Sequence, residues 1–405
     1  MISKRILAGV ALTIMALCII DACKKGQLTP IATTTTAAST TTTTIAAAFG
    51  SNINLNSLEN YAAQPIPVYI TRDNSGNDPV TNAGATLGRV LFYDKNLSIS
   101  NAVACGSCHK QSMAFGDSVV QSTGVYGLTT RHSMRLVNAR FAQEVRFFWD
   151  KRATSLEDQT TTPIQTHNEM GYSGLNGDPD ITVLIAKLQN ITYYQQLFTF
   201  VYGDATITQA RMQSALAQFI RSIQSFDSRF DAGMAAVNNL NQDFPNFTAQ
   251  ENLGKSLFLS PPSPPNAGLV TGAGCQTCHR APEFDVDPNA QDNGIILAAG
   301  STTVIDLTNI NPPSLRNLLN PAGKVNGLYM HNGTFNNLLA VINHYNQITV
   351  DPANTNLDPR LAKGGQGQNL RLSLAQENAI VAFLATLSGN DVYTNKKWGN
   401  PFLSN

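Results

Sequence analysis

Two short stretches, Cys105-Gly-Ser-Cys108-His109 and Cys275-Gln-Thr-Cys278-His279, hold the residue types and spacing most capable of chemistry. Cys-x-x-Cys-His is the arrangement that attaches a c-type haem. One helical turn points both thiols at the two vinyl groups of one porphyrin, while the adjacent His swings beneath the ring as proximal iron ligand. Three other readings compete: a redox dithiol, half a zinc site, or disulfides. None accounts for a His directly after both pairs. A zinc site would also need ligands brought together from positions 170 residues apart, and a thioredoxin-like motif would need a surrounding βαβ pattern, of which there is little.

The cysteine count agrees. Of six cysteines, Cys18 and Cys23 lie at the N-terminus and the other four are consumed by the two motifs, leaving none for a disulfide. The first residues, Lys4-Arg5 followed by the apolar run Ile6 to Ile20, read as a secretory signal over residues 1–22. The run ends at Ile20-Asp21-Ala22-Cys23, a lipoprotein-like processing box that would place lipid on Cys23, although Asp21 is not the usual small residue. Residues 23–53, rich in Thr and Ala, read as a disordered tether that cannot bury a core. An exported, lipid-anchored protein of the periplasm or cell envelope is the expectation, and it suits haem attachment outside the cytoplasmic membrane.

The elements that must position the motifs are helical. Gly84 to Phe92 has apolar residues at helical spacing, and its phrase Leu87-Gly88-Arg89-Val-Leu91-Phe92 recurs as Leu253-Gly254-Lys255-Ser-Leu257-Phe258, in each case ahead of a loop and a Cys-x-x-Cys-His motif. This internal repeat predicts a mainly α protein with two cytochrome c-like haem domains in tandem, over 54–240 and 241–405, and 405 residues are comfortable for two domains. Further helices are predicted at Ile181–Leu188, Gln209–Phe226, Leu338–Tyr345 and Leu374–Leu387; strand signals are few. With zero formal net charge and 13% charged residues there is no basic stripe to suggest nucleic acid.

Over roughly residues 84 to 390 the chain resembles the bacterial dihaem cytochrome c peroxidase and MauG family. The resemblance rests on five further motifs in order: Phe148-Trp149-Asp150-Lys151-Arg152, Glu169-Met170-Gly171, Pro313-Ser314-Leu315-Arg316-Asn317, Tyr329-Met330-His331-Asn332-Gly333 and His344-Tyr345-Asn346. It implies that His109 is the proximal ligand of a peroxidatic N-terminal haem and His279 that of an electron-transfer haem. It further implies that Trp149 lies between the two haems and that Glu169 is the distal acid shuttling a proton between the peroxide oxygens. The bland alternatives are a core aromatic for Trp149 and a surface acid for Glu169.

Departures from the family pattern carry information. Relatives that need prior reduction have a His in the loop after the first motif; residues 110–127 contain none, and the nearby Met113 and His132 are the only substitutes. The first site is therefore expected to be open, with His132 a local structural residue. At the second haem the family's Met position falls on Tyr345, as in MauG-like members, with His344 and Met330 as alternative ligands. The family's calcium site would use an Asn where this chain has His132, a poor ligand for a hard cation, leaving backbone oxygens near Asn326 and Leu328.

The function implied is a peroxidase reducing hydrogen peroxide to water with electrons from a small donor protein, a cytochrome c or cupredoxin. The competing readings are a MauG-like oxidase acting on a protein or organic substrate, and a non-enzymatic electron carrier. A homodimer is left open, and contact with a membrane is expected only through lipid on Cys23.

Overall fold

A computed structural model describes residues 44–264, 266 and 268–403. The signal over 1–22, the lipid site at Cys23 and the tether up to residue 43 lie outside the described residues. The tether ends earlier than expected. Residues 44–49 are helical, with Ile45 and Phe49 on one face, and both are buried with Ile53 in the first of two hydrophobic cores.

Among the described residues the main helices are α1 (Asn82–Tyr93), α2 (Leu156–Thr161), α3 (Ile181–Gln189), α4 (Thr192–Tyr202), α5 (Gln209–Ser222), α6 (Arg229–Val237), α7 (Ala249–Leu259), α8 (Leu338–Asn346) and α9 (Leu374–Ala385). Among the described residues the only sheets are two antiparallel hairpins, His279–Arg280 with Asp285–Val286 and Ala362–Lys363 with Gln366–Gly367. The helix starts are written locally. Thr81, Thr208, Thr248 and Ser373 each cap a helix by accepting an N–H from its first turn, and the last two form capping boxes with Glu251 and Gln376. The helix expected to run to Phe226 stops at Ser222. Ile223 turns extended because its carbonyl and the Ser225 N–H are taken by the backbone and side chain of Asn138.

The sequence repeat is a repeat of packing. Gly88 on α1 lies so close to α5 that a Cβ would enter the Ala215 carbonyl and the Phe219 side chain, and Gly254 on α7 stands in the same relation to Ala379 and Phe383 on α9. Phe92 meets Phe219 at 5.1 Å and Phe115 at 5.9 Å; Phe258 meets Phe383 at 5.3 Å and Phe284 at 5.8 Å. Rings at these distances and tilts interlock edge to face, and the absence of a side chain on the glycine is what lets the helices approach. The basic residue of each phrase is buried and held by carbonyls: Arg89 Nε donates to Gly399 at 2.6 Å, and Lys255 Nζ to Leu240 at 2.8 Å.

The first core gathers α1, α4 and α5 and the second α6, α7 and α9. The halves are not closed at residue 240. Val392 and Trp398 return to the first core, where the Trp398 indole donates to the Ser222 carbonyl at 3.1 Å.

Two candidate haem centres and the pocket between them

Cys105–Cys108 is a single helical turn closed by the His109 N–H, which donates to the Cys105 carbonyl at 2.9 Å. Both cysteines are free thiols. After His109 the chain doubles back through Phe115, whose φ of 61° is a conformation that bulky residues rarely take. The loop's purpose is visible in the imidazole: His109 Nδ1 is shared between the carbonyls of Phe115 at 3.1 Å and Met134 at 2.9 Å. A donor Nδ1 fixes the tautomer and leaves Nε2 with its lone pair, the state a metal-ligating His requires.

His109 and both cysteines line a cavity of about 670 Å³ of empty space, walled by Phe92, Val103, Met170, Leu216 and Ile220. A second cavity of about 1180 Å³, which includes open solvent, shares His109, Gln159, Pro163 and Glu169 with the first and runs on to Trp149 and Ser314. Together they make one slot, apolar around the thiols and polar at its far end. Burial pushes the Cys105 thiol up to about 12, as it does that of Cys275. That is the reverse of the lowered value a redox dithiol needs. Among the described residues no three His, Cys, Asp or Glu side chains gather as a metal-binding group, so a zinc site lacks its ligands. A haem fits this donor set: two neutral thiols, one oriented imidazole and an apolar slot.

Glu169 lines both cavities. Among the described residues its carboxylate has no hydrogen-bond partner, and burial raises its pKa, with Arg152 offsetting part of the rise. Gln159 and Pro163, from α2 and the turn after it, line both cavities beside it. Sequence reasoning missed these two, because an amide and a proline after a short polar helix carry no periodic signal. His132 is 6% exposed, and its Nδ1 is bonded to the Val119 carbonyl at 2.7 Å. Met113 lines neither cavity.

The Trp149 loop is a tight turn with positive φ at Phe148 (70°) and Lys151 (57°). Charge holds it: Asp150 pairs with Arg131 at 3.0 Å and Arg152 at 2.8 Å, and buried Lys151 pairs with Glu144 at 2.9 Å. The indole N–H of Trp149 donates to the His132 carbonyl at 2.9 Å, and the His132 N–H donates to the His331 carbonyl at 2.8 Å. The Trp149 and His331 rings lie 6.2 Å apart at 70°. Trp149 thus leads from the first cavity to the strand of chain carrying Met330.

The second motif, Cys275–Thr277 and onward, forms a 3-10 turn opened by Gly274 at φ 71°. His279 is followed by Phe284 with φ 58°, the counterpart of Phe115. Here the imidazole is less anchored, for His279 Nδ1 is buried with no partner. Burial, and after it Arg360, lowers His279 to about 4, so the ring is neutral. Asn293 organises the facing side: its Nδ2 donates to Tyr345 Oη at 3.1 Å and lies 3.3 Å from Met330 Sδ. Burial raises the Tyr345 phenol, the Asn293 hydrogen bond lowers it, and the charges of Cys278 and Cys275 would raise it further. His344 Nε2 is bonded to the Asn293 carbonyl at 2.8 Å, so all three candidate ligands meet Asn293. Asp292, wholly buried beside Asn293, accepts from Gly294 and Asn354 through Oδ1 while Oδ2 has no partner.

Near His132, which offers a nitrogen, Asn326 donates through Nδ2 to the Asn317 carbonyl at 3.0 Å and the Tyr393 hydroxyl at 2.8 Å while its Oδ1 is buried without a hydrogen-bond partner, and no group of three carboxylates joins them among the described residues.

The helical chain repeats one packing twice, and each copy presents a free thiol pair beside a buried imidazole. Residues 82–239 match the family model described as di-haem cytochrome c peroxidase. The chain is 28% identical over 320 residues to the methylamine utilization protein MauG of Methylophilus methylotrophus, covering 77% of this chain and 84% of that one. It is 26% identical over 321 residues to the cytochrome c551 peroxidase of Nitrosomonas europaea, covering 76% and 80%. In fold it is similar to a MauG-like protein associated with microbial copper homeostasis, with a TM-score of 0.64 and 24% identity over 83% of this chain and 98% of that one. The diheme peroxidase BthA from Burkholderia thailandensis E264 aligns with a TM-score of 0.53 and 19% identity over 83% and 90%.

Proposed function

We propose that this chain is a dihaem c-type peroxidase that reduces hydrogen peroxide to two waters, using two protons and two electrons from a small donor protein. Cys105 and Cys108 would hold the first haem and Cys275 and Cys278 the second, in tandem cytochrome c-like units over about 54–240 and 241–405, with the C-terminal segment completing the first. The haem supplies the iron at which peroxide is bound and reduced; the rest follows from this chain's side chains. His109 offers Nε2 as proximal ligand while its Nδ1 donates to two carbonyls, which makes the imidazole a stronger donor. Glu169 takes a proton from one peroxide oxygen and returns it to the departing one. Trp149 supplies a route towards the second centre, where His279 and Tyr345 would be the axial ligands.

The observation that carries this reading is Glu169: a carboxyl without a hydrogen-bond partner among the described residues, on the wall of the cavity that His109 also lines. From the 110–127 loop Gly124, which carries no side chain, lines that cavity, Met113 lines neither pocket, and His132 is tied to Val119. Tyr345, held at the second motif by Asn293, favours a second reading, in which peroxide equivalents are used to oxidise another protein or an organic molecule as in MauG-like oxidases. Export to the periplasm with lipid on Cys23 is part of the proposal. Among the described residues no helix is long and apolar enough to cross a membrane.

Denatured protein should retain two covalently bound haems by haem stain, and one after Cys105 and Cys108 are both replaced by Ala. The fully ferric protein should show a high-spin component and react with stoichiometric peroxide without prior reduction. Two low-spin, six-coordinate ferric haems that ignore peroxide until one is reduced would overturn the reading. Rapid steady-state turnover with reduced cytochrome c selects the peroxidase; negligible turnover with a persistent oxidised state selects the oxidase.

A further inference from the structure

Arg135 stands apart among the cations of the larger cavity because, among the described residues, no carboxylate answers it. Arg131 pairs with Asp150 and Asp306, Arg146 and Lys151 with Glu144, and Arg152 with Asp150. Arg135 donates through Nη2 to the Ser314 carbonyl at 3.2 Å, and its Nε is buried with no partner at all. Its stem is pinned as well, with Cγ 2.9 Å from where a Cβ on Gly116 would stand. A guanidinium stays charged in a protein, and a buried charge without a counter-ion is costly enough that one is normally supplied.

The position of Arg135 says what the counter-ion is. Its neighbour Met134 supplies the carbonyl that receives His109 Nδ1, and Arg135, His109 and Ser314 line the same cavity. A haem held at Cys105, Cys108 and His109 brings two propionate carboxylates into that space, and a guanidinium fork matches a carboxylate with two parallel hydrogen bonds.

We propose that Arg135 is the counter-ion of a propionate of the first haem, orienting that group and raising the haem's reduction potential. This rests on the haem reading of Cys105, Cys108 and His109, and a haem stain of the parent protein tests that reading separately, before any potential is measured. The potential rises because a fixed positive charge in a low-dielectric site favours the reduced, less positive iron.

Arg135→Gln and Arg135→Lys, each carried in the whole chain and loaded with haem, decide the matter by spectroelectrochemistry and by the propionate bending band in resonance Raman spectra. Arg135→Gln should lower the reduced-to-oxidised ratio of the first haem at least tenfold at a given applied potential, about 59 mV for a one-electron couple. It should also shift the propionate band, while Arg135→Lys stays within about threefold of the parent ratio because it keeps the charge. An Arg135→Gln protein with parental potential overturns the proposal. A fall in potential with an unmoved propionate band overturns the ion pair. If Arg135→Gln fails to load the first haem, loading of Arg135→Lys at the parental potential supports recognition of an anion, and failure of both overturns it.

Discussion

Trp149 donates its indole N–H to the carbonyl of His132, and that same residue's N–H reaches the carbonyl of His331, so three residues from distant parts of the chain form one hydrogen-bonded line between the two candidate centres. Trp149→Phe keeps the aromatic bulk and removes the donor. Rapid-mixing spectra should then show the first haem still responding to peroxide while the response of the second is slowed. The buried His132 carbonyl left without its donor should cost about 1–3 kcal/mol, read as a lower denaturant midpoint. A second haem that responds at the parental rate would remove Trp149 from the route.

For Glu169 the expected signature is a rate and a pH limb together. Glu169→Gln should keep haem content and resting spectrum and slow peroxide cleavage by about 10²-fold or more. A proton acceptor must be ionised to act, and burial holds this carboxyl protonated to higher pH than usual. In the parent protein kcat/KM for peroxide should therefore fall as pH drops through that raised value, and the Gln variant should lose this acid limb.

The close approaches of Gly88 to Ala215 and of Gly254 to Ala379 make equivalent predictions in the two halves. Gly88→Ala or Gly254→Ala forces a helix pair apart and should destabilise the protein by about 1–3 kcal/mol or more, since packed helices cannot yield to a methyl without moving side chains. Denaturant unfolding followed by haem absorbance would measure this. A neutral effect at either glycine would mean that its helix pair gives way more easily than the packing implies.

Asp292 gives a stability profile of unusual sign. Burial raises its carboxyl to about 6 from the ordinary 3.8, so between those values the folded protein holds a proton that the unfolded chain has released. Its contribution to stability is present below about pH 4 and lost as pH rises through about 6, on the order of 1–3 kcal/mol. Asp292→Asn keeps the shape and cannot ionise. Denaturant midpoints taken from pH 4 to pH 8 should lose this part of their decline in the variant, and identical profiles would contradict the assignment.

What the sequence made legible was local or repeated. The two Cys-x-x-Cys-His turns, the Leu-Gly-basic phrases and the capped helices α1, α5, α7 and α9 are each written within about a dozen residues, and the packing follows from them. The helix α4 escaped because Thr-Tyr-Tyr-Gln-Gln-Leu-Phe-Thr-Phe-Val-Tyr is rich in β-branched and aromatic residues of modest helix propensity; its burial of Tyr194, Leu197 and Phe198 on one face is what holds it. Asn293, which brings Tyr345 and Met330 together, and Arg135, which faces Ser314 from the other half, are meaningful only once distant segments meet. No spacing along the chain announces either.

The returning C-terminal segment encloses the first motif. Gln111, two residues after the first Cys-x-x-Cys-His motif, donates to the carbonyls of Val392 at 3.2 Å and Asn395 at 2.9 Å, and Tyr93, packed against Gly106 inside that motif, donates to the Trp398 carbonyl at 2.7 Å. These contacts close over the motif with residues almost 300 positions later in the sequence (398 − 105 = 293). The first thiol pair is thus walled in by the far end of the chain, whose residues bring it no chemistry of their own.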